Sequence, residues 1–493
     1  MLEFGWPLLT HAADFSHATP VHRPPRLEPD YCGTTIPPNL APLNFVLEEP
    51  GTRFHVRIHS TKGNPLELSS RTPSVAIPVK PWNALLRMNA GEPLYFDVFA
   101  KDQQERWVRF DTVTNTIARE EIDGYLVYRL LKPLYNIYVD VGIYQRNLQN
   151  YEEKEVLHNR SFGQGCLNCH TFLNQSPDNM AINIRSKSSG NPMLLIRSNA
   201  VAKVDRTAGY LSWHPSGRLL AFSANKLSLF FHTNAEETRD VFDAESNLNI
   251  YRVDSNTVVT PPPIAATNYL ETWPSWSPDG RHLYFCRAPI GRRQRFSQVR
   301  YDLVRVPYDL DRDTWGEPET VISARETLLS AAQPRVSPDG RFLLFCLSKY
   351  GNFPIYQPNS DLYVMDLRTR QYRRLDINSD KSDSWHSWSS NSRWIVFSSK
   401  RRDGLFARPH ISYVDEQGTF HKPLLLPQKN PAFYDSFIKT FNVPELIREP
   451  IQVKPSELAR AVVAPRTVLR PTQETYREHP ERQSGVAVDA LKR

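Results

Sequence analysis

The sequence predicts an all-β protein with an N-terminal β-sandwich and a C-terminal β-propeller, and three observations support this fold class. Tyr, Phe and Trp are frequent (21, 24 and 10 residues) and Pro occurs 40 times, a composition typical of strands separated by turns. Apolar and polar residues alternate at period two between residues 41 and 148. One strand-turn-strand pattern then recurs four times in the second half of the chain.

The N-terminal part divides into an arm and a sandwich. Residues 1–40 are rich in proline, and we expect them to form an extended arm. The runs "RFHVRIHS", "PLYFDVFAKD" and "GYLVYRLL" then predict antiparallel strands of an immunoglobulin-like or fibronectin-like sandwich over residues 41–148. The run "WNALLRMNAG" predicts a short helical turn between two of these strands.

The recurring pattern predicts propeller blades over residues 191–445. Its copies align at Trp213, Trp276, Val336 and Trp388, and they read "LSWHPSGRLLAF", "PSWSPDGRHLYF", "PRVSPDGRFLLF" and "HSWSSNSRWIVF". An Asp-Gly hairpin tip permits positive φ, and repeats of about 50–60 residues supply the four strands of a blade. Four blades are clear, and strands in 190–210 and 430–445 are expected to add a fifth or to complete the ring.

With its "WSPDGR" and "SDLYVMDL" segments, the chain resembles the TolB-type propeller family over roughly residues 205–430. The resemblance implies the fold and no single activity, because such propellers mostly act as binding platforms. Function in a regular propeller is expected where the blades differ. We therefore expect the residues just before each repeated position to face the channel or its rim: Tyr210, Glu271, Gln333 and His386, with Asp383 nearby.

The stretch "GQGCLNCHTF" carries the strongest chemical signal. It lies in a loop-like segment, residues 149–190, which we expect to link the sandwich and the propeller. Cys166, Cys169 and His170 match the attachment pattern of c-type haem, in which two thiols bind the vinyl groups and the histidine binds the iron. A zinc site would need more ligands and a redox dithiol a βαβ unit, so both are weaker alternatives, as is coincidence. The sequence predicts one covalent haem c.

The other axial position of the iron has three candidate ligands. Met180 and His158 lie near the motif in sequence, and His386 belongs to the fourth repeat. Each also has an ordinary explanation: core packing for Met180, a polar surface position for His158, and a hydrogen-bonded channel position for His386. An open site, or another ligand, is the remaining alternative.

Composition and missing motifs exclude several other functions. The formal net charge is +7, but the basic residues are dispersed, which argues against nucleic-acid binding. No stretch approaches the roughly 20 apolar residues of a membrane-spanning helix. A Gly-x-Ser-x-Gly elbow, a Gly-rich phosphate loop and a metalloprotease helix motif are absent from the sequence.

The combination of parts resembles the haem-bearing TolB-like proteins found beside multihaem cytochromes, and more distantly the hydrazine synthase alpha subunit. The order of parts differs from that enzyme and one haem motif is present, so its activity is not carried over. The resemblance implies a periplasmic electron-transfer protein, with a signal peptide not visible in this chain and a redox partner such as a multihaem cytochrome. Alternatives are a haem enzyme with an open site for a small nitrogen or oxygen compound, and a haem-decorated assembly scaffold.

Residues 446–493 are expected to form an extended tail.

Overall fold

The computed structural model describes residues 15–132, 139–186, 189–233, 237, 239–264, 266–290, 293–464 and 470–471. These ranges fold as an N-terminal sandwich followed by a β-propeller, which confirms the predicted all-β class. Parts of the predicted arm (1–14) and of the predicted tail (465–469 and 472–493) lie outside the described residues.

The sandwich is built from short strands and one helix. Their bounds are β1 (Thr19–Pro20), β2 (Leu27–Glu28), β3 (Thr35–Ile36), β4 (Phe45–Leu47), β5 (Arg53–His59), β6 (Leu66–Ser70), β7 (Ser74–Val75), α1 (Val79–Met88), β8 (Pro93–Lys101), β9 (Trp107–Arg109) and β10 (Val113–Ile117). In the larger sheet β8 pairs with β5, β9 and β10, and the smaller sheet has the order β2-β4-β7. Phe45, Trp82 and Phe96 are fully buried in the core that both sheets share.

The propeller strands follow in chain order. The first three blades contain β11 (Tyr125–Leu131), β12 (Val141–Asn147), β13 (Glu153–His158), β14 (Cys166–Leu173), β15 (Ser176–Arg185), β16 (Met193–Arg197), β17 (Ala200–Val204), β18 (Leu211–Trp213), β19 (Leu219–Phe231), β20 (Arg239–Arg252) and β21 (Thr257–Val259). The fourth blade contains β22 (Tyr269–Trp276), β23 (His282–Pro289), β24 (Asp302–Asp309), β25 (Thr314–Trp315) and β26 (Glu319–Ile322), and it is followed by α2 (Ala324–Thr327).

The last two blades and the C-terminal elements complete the chain. Their bounds are β27 (Ser330–Val336), β28 (Phe342–Ser348), β29 (Asp361–Asp366), β30 (Tyr372–Arg374), β31 (Asp383–Trp388), β32 (Trp394–Ser399), β33 (Arg408–Tyr413), β34 (Leu424–Leu425), α3 (Phe433–Ser436), β35 (Thr440–Ile447), α4 (Pro455–Val463) and β36 (Arg470–Pro471). Strand β36 pairs with the outer strand β21 of the third blade.

Strand β35 closes the propeller into a ring. It pairs antiparallel with β11, so the first blade combines strands from before and after the other blades, in the order β13-β12-β11-β35. The inner strands β35, β14, β18, β22, β27 and β31 each contact the next, and β31 contacts β35 in turn. The described residues therefore form six blades around a central channel, and the closed ring buries both faces of each blade.

The propeller begins earlier in the chain than the sequence suggests. Strands β11 and β12 were expected in the sandwich, and β13 to β15 occupy the expected linker over residues 149–190. Period-two alternation cannot separate a sandwich strand from a blade strand, because both structures bury alternate side chains. Strand β11 is buried along most of its length, which is typical of a strand between two neighbouring blades.

Both predicted extended ends pack on the rest of the protein where the structure describes them. Tyr31 of the arm is fully buried, and its hydroxyl donates to the Leu425 carbonyl at 3.2 Å. Helix α4 buries Leu458 and Val462 against the first two blades. Among the described residues, no helix is both long and apolar enough to cross a membrane.

Candidate functional site

The cysteine-histidine motif forms part of the channel wall. Cys166, Cys169 and His170 all lie on β14, the inner strand of the second blade. Strand β14 pairs with β15, where Cys166 stands opposite Arg185. The structure thus places the three predicted haem-attachment residues on one inner strand of the propeller.

Five of the six described inner strands share a β-bulge at the level of this motif, and β18 is the exception. In β14, β22, β27, β31 and β35, two residues face a single residue of the neighbouring strand. In four of these strands the first bulge residue has positive φ: Trp273 (56°), Gln333 (56°), Trp385 (51°) and Val443 (49°). Such values are rare for bulky side chains, so the backbone is strained at the level where the side chains converge.

The second bulge position distinguishes two blades from the others. It is proline in β22, β27 and β35 (Pro274, Pro334 and Pro444), whereas β14 has Cys169 and β31 has His386. Bulges re-aim side chains, and here they direct them toward the channel. Chemically active side chains therefore replace proline in the second and sixth blades.

A small cavity lies where the bulges meet. Cys169, His170, Trp273, Trp385 and His386 are among the residues that line it. The Trp273 ring meets the Trp385 ring edge-on, with centroids 5.0 Å apart, and aromatic packing fills much of the channel. The remaining free volume is about 20 Å³, which is room for a single water molecule.

The His170 imidazole is buried, and neither of its nitrogens forms a hydrogen bond of ordinary geometry. The residue is 1% exposed. Burial lowers the pKa of His170 to about 3, and the positive charge of Arg129 acts in the same direction. Interactions with the backbones of Val127 and Val443 raise the pKa of His170, but this effect is smaller than that of burial. His170 is therefore neutral at neutral pH, the form in which imidazole binds metal ions.

Cys166 and Cys169 are free thiols in this structure. Cys166 is partly exposed, whereas Cys169 is buried. Burial raises the pKa of both thiols, that of Cys169 to about 11, although the nearby Arg129 and Arg185 guanidinium groups oppose the shift. Both side chains are consequently protonated at neutral pH.

Two arginines beside the motif lack partners for part of their guanidinium groups. Arg129 of β11 donates from Nη1 to the Leu167 carbonyl (3.0 Å) and to Asn168 Oδ1 (3.3 Å). Its Nε is buried without a partner, as are Nε and Nη2 of Arg185. Within the described ranges, neither arginine forms an ion pair.

The donor set fits a haem c in its chemistry. Two free thiols and a neutral imidazole are what covalent attachment and axial ligation require. Among the residues that the structure describes, no three His, Cys, Asp or Glu side chains are grouped to hold a bare metal ion. The cavity beside Cys169 is too small for a porphyrin, so the macrocycle would need space at the partly exposed Cys166 instead.

Two of the candidate second ligands lie away from the cavity. Met180 is fully buried on β15 in the core between the first two blades. His158, expected at the surface, is buried at the end of β13, where its Nε2 lies 3.0 Å from Asp140 Oδ1. Neither residue lines the cavity.

His386 does line the cavity together with Cys169 and His170. Its two nitrogens are engaged, however: Nε2 lies 3.1 Å from the Leu344 carbonyl and Nδ1 lies 3.7 Å from Cys346 Sγ. Of the three candidate ligands, the structure therefore brings only His386 to the cavity. Its nitrogens are hydrogen-bonded there, as expected for a channel residue that does not bind iron.

The expectation about channel-facing residues is confirmed for three positions. Tyr210, Gln333 and His386 all line the cavity. Glu271 and Asp383 are fully buried near the start of their inner strands. The variable positions before each repeated residue thus mark the interior of the ring.

A long hairpin covers one end of the channel. It is formed by β19 and β20 of the third blade, and its Glu237 forms an ion pair with Lys400 of the sixth blade, on the opposite side of the ring. Its Asp240 accepts hydrogen bonds from Tyr350 (3.1 Å) and Gln357 (3.0 Å) of the fifth blade. A hairpin that reaches the opposite blade must cross the channel.

Sequence reasoning missed this hairpin and both arginines. The wide spacing between Trp213 and Trp276 was the available signal for an insertion in the third blade. Arg129 and Arg185 had no comparable signal, because their place beside Cys166 depends on strand register and blade packing, which alternation does not reveal.

No protein-family model matches the chain. No curated protein matches it at a significant level. Solved structures similar to it include prolyl oligopeptidase B from Galerina marginata (9% identity, TM-score 0.36, 67% of this chain and 42% of that one). Others are Kuenenia stuttgartiensis hydrazine synthase (13%, 0.30, 50% and 64%) and Porphyromonas gingivalis dipeptidyl peptidase 4 (11%, 0.31, 66% and 58%). The chain spans less than two thirds of the length of each, and similarity at this level assigns no activity.

Proposed function

We propose that this protein is a periplasmic monohaem c-type cytochrome of the TolB-like propeller type. Cys166 and Cys169 would hold the haem through their thiols, and His170 would bind its iron. One observation carries the proposal: a buried imidazole whose nitrogens form no hydrogen bond of ordinary geometry adjoins two free thiols in the order of a haem-attachment motif. When bound, the haem supplies one-electron redox chemistry.

The propeller contributes rigidity and exclusion of water. Strand β14 is held between neighbouring inner strands, so the positions of its side chains are constrained by the ring. Trp273 and Trp385 keep bulk water from the cavity beside His170. Burial of this kind is one of the means by which a protein sets the potential of a haem. The propeller surface serves as the docking platform for a redox partner such as a multihaem cytochrome.

A second candidate is a haem with an open coordination position that binds a small nitrogen or oxygen compound. The engagement of both His386 nitrogens favours it, as does the distance of Met180 and His158 from the cavity. Among the described residues, no unengaged Met or second His lines the cavity. An open position suits ligand chemistry, whereas a filled position suits electron transfer.

Expression in a host that matures c-type cytochromes tests the proposal. We expect one haem per chain by intact mass, and a pyridine haemochrome spectrum of a porphyrin with both vinyl groups saturated. Cys166→Ser or Cys169→Ser should remove one thioether each, and the double variant should be free of covalent haem. Cys286→Ser and Cys346→Ser are the matched controls, because both thiols are fully buried on second strands of other blades. A colourless wild-type protein without added mass would refute the proposal.

Carbon monoxide then separates the two candidates. A low-spin ferrous spectrum that is unchanged by carbon monoxide identifies the electron carrier. A high-spin spectrum that shifts on addition of the gas identifies the open site. Repetition with His386→Phe shows whether this residue occupies the second position, since its loss would then open a closed site.

A further inference from the structure

Large apolar side chains are exposed at the end of the channel that the hairpin of β19 and β20 covers. Leu229, Phe230 and Phe231, the last three residues of β19, are all exposed. Three consecutive large apolar residues at a surface mark an interaction site, because covering them releases free energy. The tip of the hairpin therefore indicates a partner that covers it.

Four more exposed apolar residues lie at the same end of the propeller. Ile290 follows β23, and its amide donates to the Asn268 carbonyl (3.0 Å), directly before the inner strand β22. Leu328 and Ile438 lie two residues before the inner strands β27 and β35, and Leu405 lies in the loop from β32 to β33. The inner strands of a ring run in one direction, so all four residues lie at the end where these strands start. Together with the hairpin, they belong to loops of four blades.

A helical turn of the fourth blade supports the tip of the hairpin. Phe296, in the turn Arg293–Gln298, stacks on Phe242 of β20 with ring centroids 4.6 Å apart. The same ring lies 5.4 Å from that of Phe230, of which 48% remains exposed. These contacts hold the apolar tip in place while leaving much of its surface uncovered.

Basic side chains adjoin this aromatic cluster. Arg295 is exposed directly before Phe296, and the Phe296 ring lies 6.3 Å from that of Tyr350. Beside Tyr350, the Lys349 carbonyl accepts a hydrogen bond from Arg300 Nε at 3.1 Å. Within the described ranges, Arg295, Arg300 and Lys349 form no ion pair. Elsewhere at this end, exposed arginines adjoin acidic residues, as with Arg325 beside Glu326 and Arg402 beside Asp403.

We propose that this end of the propeller binds the surface of an anionic lipid bilayer, with the tip of the hairpin inserted among the headgroups. Exposed aromatic and aliphatic side chains gain free energy at the boundary of headgroups and acyl chains, and arginine and lysine are attracted to lipid phosphates. The apolar residues stand on loops of four blades, and a bilayer is broad enough to contact all of them at once. A protein partner instead covers one contiguous apolar centre. The surface contains none of the candidate haem residues, so the proposal does not depend on the haem.

Sedimentation of the full chain with lipid vesicles tests the proposal. Wild type should bind vesicles of equal parts phosphatidylglycerol and phosphatidylcholine, and it should bind pure phosphatidylcholine vesicles about tenfold or more less tightly. Added salt should release the protein, because salt screens the attraction between the basic side chains and the lipid phosphates.

The apolar contribution is tested by Phe230→Ser/Phe231→Ser. This variant should bind the anionic vesicles about tenfold or more less tightly, because two exposed rings no longer enter the bilayer. Its matched control is Met88→Ser/Tyr372→Ser, which removes two exposed apolar side chains away from this end, on α1 and β30, and should bind as wild type does.

The electrostatic contribution is tested by Arg295→Gln/Lys349→Gln. Loss of two charges should weaken binding to the anionic vesicles roughly 30-fold and leave binding to phosphatidylcholine unchanged. The control Lys80→Gln/Arg87→Gln removes the same charges from exposed positions on α1 and should change neither affinity. An unfolding temperature near that of wild type shows that each variant is folded.

Three results would overturn the proposal. The first is failure of wild type to bind the anionic vesicles, and the second is an equal loss of binding in the variants and their controls. The third is a dimer, seen by light scattering without lipid and lost in Phe230→Ser/Phe231→Ser, which would assign this end to a second copy of the chain. The Cys166→Ser/Cys169→Ser protein should bind as wild type does, so the outcome is independent of haem attachment.

Discussion

The second and fifth blades share a strand order and differ in the hairpin after the inner strand. In the fifth blade, Ser337 contacts Asp339 at 2.5 Å and accepts a hydrogen bond from the Phe342 amide. In the second blade, the turn consists of Asn174 and Gln175, both with positive φ, as a two-residue hairpin turn requires. The repeated sequence pattern is thus a feature of one type of turn, and a blade can form without it.

The blades that are alike in sequence and the blade that carries the candidate cofactor residues are therefore different blades. Two of the four blades with the repeated turn have proline in the inner-strand bulge, at Pro274 and Pro334, and the four sequences resemble one another. The second blade has neither feature, and its bulge carries Cys169 followed by His170. The repeated pattern reveals neither the first nor the second blade, and the inner strand of the second carries the candidate cofactor residues.

The largest effect that we predict on stability concerns Glu271, which lies two residues before the bulge of β22, as Cys166 does in β14. Burial raises the pKa of this carboxyl group to about 8, although Arg287 opposes the shift. A raised carboxyl pKa favours the protonated form, so stability is lost as pH rises from the ordinary value near 4.5 to about 8. Glu271→Gln should therefore exceed the free energy of unfolding of wild type by about 1 kcal/mol or less at pH 5 and by about 3–5 kcal/mol at pH 9.

Denaturant unfolding across this pH range measures the effect. The control is Glu245→Gln, an exposed residue on β20, which should change the free energy of unfolding by less than about 0.5 kcal/mol at any pH. If Glu271→Gln and the control had the same pH profile, the carboxyl group would be ionised and paired in the native protein.

The second largest effect on stability concerns the covering hairpin of the third blade, an insertion that the second and fifth blades lack. Asp240 is buried, and it contacts His232 at 2.7 Å as well as Tyr350 and Gln357. Asp240→Ala leaves these partners unsatisfied and should destabilise the closed hairpin by about 2–4 kcal/mol. Hydrogen exchange of β19 and β20 amides should accelerate, while Asp254→Ala, which is exposed, should leave it unchanged. Faster exchange throughout the ring would indicate global unfolding and contradict a local role.

The sequence predicted the ring through blades that keep the Asp-Gly or related turn, and it missed the blades that do not. Strand β11 shows why: its alternation is the same in a sandwich and in a blade, and its partner β35 lies more than 300 residues away in the chain. The motif was predicted by residue type, since Cys166, Cys169 and His170 are adjacent in sequence. Arg185 was not, because its place opposite Cys166 follows from the pairing register of β14 and β15.

The smallest effect distinguishes the two buried histidines of the cavity in the haem-free protein. Burial lowers the pKa of both His170 and His386 to about 3, so each is neutral at pH 7. His386→Phe should cost about 1–3 kcal/mol, because it deprives the Leu344 carbonyl of its partner. His170→Phe removes two nitrogens that have no partner, so its cost should stay within about 1 kcal/mol. Denaturant unfolding at pH 7 compares the two variants. Equal losses would mean that His170 has a structural partner in solution, and its imidazole would then not be held free for iron.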